Sequence, residues 1–149
     1  MTAMPSSPSG STGSTIEELP LDECLRLLGT MSVGRIAVAA SDEAPIVVPV
    51  SYALDGDVIV FRADRGSRLD RLSGALVSFE VDVIDPYHKT GWSVLVRGTA
   101  REATLEEKGH VEVEAWVGAP DMHWIRVSPG VITGRRIQLP PLPAARGYL

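Results

Sequence analysis

From Val33 onward the apolar residues of this chain recur at every second position, a period that suits strands rather than helices. Val33 to Ala40 is the first such run. Ile46, Val48, Val50, Tyr52 and Leu54 share one face of a second; Asp55-Gly56 is a tight hairpin signal, and Val58 to Ala63 returns from it. Val77, Phe79, Val81 and Val83 alternate with Ser78, Glu80 and Asp82, which predicts a strand with one wet face. Trp92, Val94, Val96 and Gly98 alternate with Ser93, Leu95 and Arg97 in the next. His123 to Ser128 and Val131 to Ile137 read as the last two strands, with a turn at Pro129-Gly130 between them. Six or seven strands with short turns pack most simply as an antiparallel barrel of α+β class.

The remaining segments break that rhythm. In Thr15 to Leu28 the residues Ile16, Leu19, Leu21, Leu25 and Leu28 stand at near-helical spacing. Pro20 splits the segment into a lead-in turn and a main helix from Leu21, and Gly29 is its stop. Residues 104–117 carry two signals, since Val111-Glu-Val-Glu alternates while the glutamate content favours helix; the reading taken is helix. Residues 1–14 are Ser, Thr, Gly and Pro in the main and are expected to be disordered. Residues 15–138 then form the folded domain, and 139–149 an extended proline-rich tail that needs a partner surface to be ordered. A chain of 149 residues suits one domain with a real core.

Several function classes fall away on composition and motif. A net charge of −5 argues against a nucleic-acid partner, which wants a basic field. No apolar stretch approaches the ~20 residues of a membrane span, and the first fifteen residues carry no apolar leader core, so the expectation is a cytoplasmic protein with no membrane partner. Cys24 is the single cysteine and falls in the apolar rhythm of the first helix, where a buried thiol is expected. The motifs of a phosphate-binding P-loop, a dinucleotide-binding Gly-x-Gly-x-x-Gly and a Gly-x-Ser-x-Gly nucleophile are absent. His88, His110 and His123 stand without a second ligand at usable spacing, so no metal site is expected. Glu17-Glu18 and Glu106-Glu107 read as solvated helix faces.

One motif survives. Arg62, Arg65, Arg68 and Arg71 recur at every third position after the Val-Ile-Val-Phe strand, and the chain turns between them at Gly66-Ser67. The spacing predicts a strand ending in Arg62 and a short helix capped by Ser67 that carries Arg68 and Arg71. Free N–H groups at a helix start together with converging guanidiniums suit a phosphate, and hence a phosphorylated cofactor. The alternative is a charged helix face paired with Asp64 and Asp70. Trp92, Trp124 and Tyr52 form a second constellation: each alone suits a core, but beside a phosphate cradle they suit a flat ring system.

The stretch from Val33 through Ala100, with VPVSYALDGDVIVFRADRGSRLDRL at its centre, and the later HWIRVSPGVITGRRI resemble the pyridoxamine 5′-phosphate oxidase-like family of flavin-binding split barrels over roughly residues 20–138. The resemblance implies an α+β, mainly β, antiparallel split β-barrel of six to seven strands with a few short helices. It implies a homodimer with FMN at the subunit interface and an FMN-dependent oxidoreductase acting on a small-molecule substrate. By motif position, Arg62, Ser67 and Arg68 would hold the phosphate, and Val48, Pro49, Val50 and Ser51 would run along the isoalloxazine edge. Trp92, Ser93, Trp124 and Arg135 would reach the flavin from the partner subunit. The tail PPLPAARGYL lacks the Arg-x-His arm with which pyridoxamine phosphate oxidases hold substrate. The family also includes members that use the deazaflavin F420 or bind haem, with or without turnover, and these remain the alternatives.

Overall fold

Six strands close on themselves because the last one is long enough to serve two neighbours. The computed structural model describes residues 13–70, 72–114, 116 and 121–140. Within them run β1 (Thr15–Leu19), α1 (Leu21–Leu28), β2 (Val33–Val38), β3 (Ile46–Asp55), β4 (Val58–Asp64), β5 (Ala75–Asp85), β6 (Thr90–Glu102) and β7 (Met122–Gln138). The sheet order β7-β4-β3-β2-β5-β6 returns to β7, and every pairing is antiparallel. β7 does this by offering Met122–Val127 to β4 on one side and Ile125–Ile137 to β6 on the other. Closure gives every barrel strand two neighbours, though not along its whole length. β1 lies outside the barrel against the end of β7, with Ile16 opposite Ile137.

Alternation fills the interior. Val94 and Val96 are buried while Leu95 and Arg97 face out, and Ile36, Ile59, Phe61, Phe79, Ile125 and Val127 complete the same core. α1 plugs one end, burying Cys24, Leu27 and Leu28. Asp22 and Glu23 stand in its first turn and Arg26 in its last, each favourable to the helix dipole. The Tyr52 hydroxyl donates to the Leu28 carbonyl, and its ring meets Phe79 edge-on at 4.9 Å. Tyr52 is therefore a core aromatic rather than part of a ring-binding wall. Gly134 of β7 lets the helix come close: a Cβ there would stand 2.5 Å from the Cys24 sulfur and 3.2 Å from Leu19.

Four expectations are corrected. Residues 15–19 are a strand and not a helical lead-in, because Thr15 and Ile16 are β-branched and β7 offers a free edge; apolar spacing over five residues cannot tell the two apart. Pro129-Gly130 makes no turn. Gly98 pairs with Pro129 and Arg97 with Val131, so Gly130 is the extra residue of a bulge in one continuous strand. Among the described residues of 104–117 there is no helix: Thr104 and Glu107 exchange capping-box bonds, but Gly109 at φ 85° ends the coil after a single turn. Residues 65–70 are successive turns rather than a short helix. The expectations for residues 1–12, Arg71 and 141–149 lie outside the described residues.

Two predictions test this packing. Gly134→Ala forces its methyl into the Cys24 sulfur and should lower stability by about 1–3 kcal/mol. In urea denaturation, adding Cys24→Ala should give a double variant less destabilised than the sum of the two. Secondly, Arg26 and, from β7, Arg136 hold the Glu23 carboxyl down to about 2, against an ordinary 4.5. A depressed carboxyl contributes stability that is fully present above 4.5 and is lost as pH falls toward 2. The stability gap between wild type and Glu23→Gln should shrink across that window in denaturation at stepped pH.

Candidate functional site

The barrel opens where β3 and β4 part. Their ladder covers only Tyr52–Asp55 against Val58–Phe61. Before Tyr52, β3 is paired with β2 through Ile46–Ser51, and after Phe61, β4 is paired with β7. Residues 46–51 therefore have a strand on one side only, and their other backbone edge faces a cavity of about 840 Å³. Val48, Pro49, Val50 and Ser51 form one wall of it; Arg62, Ser67 and Arg68, with Asp64, form its polar end; Val113, Trp116 and Met122 close a third side.

The polar end is built by a tight turn after β4. The Ser67 N–H donates to the Asp64 carbonyl at 3.1 Å, and the Asp70 N–H to the Ser67 carbonyl at 3.0 Å. Gly66 between them sits at φ 77°, the left-handed region where a side chain is strained. Its N–H donates to Asp70 Oδ2 at 2.8 Å. The Arg65 N–H donates to the Asp121 carbonyl, and its side chain pairs with the Asp121 carboxylate at 2.7 Å. Arg65 is thus committed away from the cavity, and neither Asp64 nor Asp70 takes Arg62 or Arg68 as a partner.

Arg62 and Ser67 carry the informative atoms. Arg62 Nε and Ser67 Oγ are both buried and have no hydrogen-bond partner. Buried polar groups in folded proteins are almost always paired, so two unpaired ones at the same end of one cavity point to a ligand that pairs them. The Arg62 guanidinium lies 5.4 Å from the ring centroid of Trp124, its cross-strand partner, and that cation–π contact fixes its direction. Arg68 meets Glu43 at 2.9 Å, with both side chains more than half exposed. Such a surface pair is worth about 0–1 kcal/mol, so a doubly charged anion can displace Glu43 at little loss.

Seven of the residues singled out in the sequence therefore surround one cavity: Val48, Pro49, Val50, Ser51, Arg62, Ser67 and Arg68. Trp124 joins them indirectly, beneath Arg62. Trp92, Ser93 and Arg135 do not. They line a separate cavity of about 170 Å³ bordered by β1, β5, β6 and β7, with Ile16, Ile84 and Ile137 beside them. Trp116, which is 70% exposed on the cavity wall, and Met122 were missed. Met122 sits there because it pairs with Asp64 across β7 and β4, a register that no local pattern announces. A solitary tryptophan in a glutamate-rich stretch was the only available signal for Trp116.

Residues 20–136 match the model of the family described as pyridoxamine 5′-phosphate oxidase. The uncharacterized protein Rv0080 of Mycobacterium tuberculosis (strain ATCC 25618 / H37Rv) is 31% identical over 131 residues, which are 82% of this chain and 86% of that protein. Among solved structures, the FAD binding protein from Mycobacterium smegmatis is 33% identical with a TM-score of 0.71, covering 82% of this chain and 100% of its own. An FAD-binding protein from Mesorhizobium loti is 25% identical with a TM-score of 0.71, covering 85% and 99% respectively.

Because the Ser67 hydroxyl satisfies nothing within the fold, its removal should relieve a small desolvation penalty rather than break a bond. Ser67→Ala should leave the thermal midpoint of the ligand-free protein unchanged or slightly raised, as measured by calorimetry.

Proposed function

The chain belongs to the pyridoxamine 5′-phosphate oxidase family, and from that premise we propose that it binds a flavin nucleotide in the cavity between β3 and β4 and acts as a flavin-dependent oxidoreductase. The observation that carries the reading is the pair of unpartnered buried atoms, Arg62 Nε and Ser67 Oγ, at the polar end of a cavity lined mainly by apolar side chains. Two donors, with the Arg68 guanidinium beside them, suit the oxygens of a phosphate. The open backbone edge of Val48–Ser51 suits the heteroatom edge of a flat ring, offering N–H and C=O groups at strand spacing, with Pro49 removing one donor. Relatives that bind FAD support a flavin, and FMN and FAD share the part that these residues fit.

A bound flavin would supply the hydride chemistry at its ring nitrogen N5. The protein's own groups bind and orient: Arg62, held over Trp124, fixes the phosphate end, and the β3 edge sets the ring plane. Val113, Trp116 and Met122 cover the cavity and limit water access. Trp92, Ser93 and Arg135 lie too far round the barrel to reach the same cavity within one chain. The reading therefore includes a homodimer in which Trp92, Ser93 and Arg135 of the partner subunit complete the site.

The test is flavin occupancy. Purified protein should carry or take up a yellow chromophore, and Arg62→Ala combined with Arg68→Ala should lose it while circular dichroism shows a folded protein. Affinity should fall by about a hundredfold, since two charge-assisted contacts go at once. Unchanged occupancy in the double variant would remove the phosphate assignment. Chromatography of the released chromophore separates FMN from FAD.

A further inference from the structure

On the core face of β7, where Ile125 and Val127 are buried, the position two residues earlier is a histidine. His123 is 6% exposed and stands between two carboxylates: Nδ1 is 2.9 Å from Glu102 Oε1, and Nε2 is 3.0 Å from Asp70 Oδ1. The second contact is bent away from hydrogen-bond alignment. Through its two ring nitrogens one imidazole thus faces both carboxylates. Arg65, from the neighbouring turn, adds positive charge near Glu102 and Asp70. A polar side chain buried between two carboxylates gives little net stability over an apolar one of the same size, so the presence of His123 wants another reason.

Asp70 supplies one. Its Oδ1 meets His123, and its Oδ2 accepts the N–H of Gly66, the left-handed residue just before Ser67. One carboxylate therefore joins a rigid barrel strand to the turn that presents Ser67 and Arg68 to the cavity. We propose that His123 is a positioning residue for the phosphate end of the cofactor: anchored by Glu102, it locks Asp70, and Asp70 locks the turn. This rests on the flavin-nucleotide reading given above. His123 itself is not among the residues lining the cavity, so its effect on binding passes through the turn.

The experiment compares FMN with riboflavin, the same ring and side chain without the phosphate, by fluorescence titration of the full-length protein. Wild type should prefer FMN strongly. His123→Leu should weaken FMN by about tenfold, the usual effect of losing one contact to a charged group, and riboflavin by no more than about twofold. Asp70→Asn, which keeps the side-chain size, should do the same and serves where the leucine variant folds poorly. A merely structural role would weaken both ligands alike. In the Arg68→Ala background the His123 effect on FMN should shrink, because the two act on one phosphate. Retention of the full FMN preference in both variants overturns the inference and leaves the flavin reading intact. A wild type that binds FMN and riboflavin equally overturns the phosphate reading, and the role of His123 with it.

Discussion

A strand that runs out of partners on one side determines what this molecule can do. β3 is paired with β2 along its first half and with β4 only along its last residues. β4 continues past that ladder on the arm of β7 instead. The two strands diverge, and the wedge between them is a cavity whose one wall is unpaired backbone. Such a wall, lining a cavity, is where a flat polar-edged ligand gains most, since each contact replaces water at a group that the fold leaves open.

The charges are arranged around that opening in two ways. Some are spent inside the fold. Arg126, buried in β7, meets Asp55 at 2.8 Å, and Arg101 grips Glu107 through two bonds, which holds the 104–110 turns against the barrel. Those two guanidiniums and the Thr104 N–H hold the Glu107 carboxyl down to about 2, so it remains an anion at any ordinary pH. Others are held ready. Arg62 is oriented by an aromatic ring rather than by a carboxylate, and Arg68 is tied only to an exposed glutamate. A π-face directs a guanidinium without neutralising it, so the positive charge stays available to an incoming anion. Arg65, in contrast, is taken up by Asp121.

The cluster of His123, Asp70 and Glu102 belongs between these two groups. His123 is buried as Arg126 is, Asp70 adjoins the cavity turn, and together they convert the stiffness of β6 and β7 into a fixed shape for that turn. Turns presenting ligand contacts are otherwise among the softer parts of a fold. Binding energy is then not spent on ordering the loop at the moment of contact.

Local pattern in the chain specifies the strands β2 to β6, the hairpin at Asp55-Gly56 and seven residues that line the cavity. These rest on period, turn chemistry and one short motif, which are local and survive without knowledge of the partner strands. It misjudged Thr15–Leu19, the end of the arginine motif and the 104–117 segment, where a strand edge, an aspartate clamp and a glycine outweighed helical composition. Only the tertiary structure decided that Tyr52 turns inward, that Trp124 lies under Arg62, that Met122 and Trp116 wall the cavity, and that His123 sits between two carboxylates. Apart from Trp116, which stands outside the strands, each of those depends on the register between strands distant in the chain, and a shift of one residue would have sent the same side chains to the opposite face.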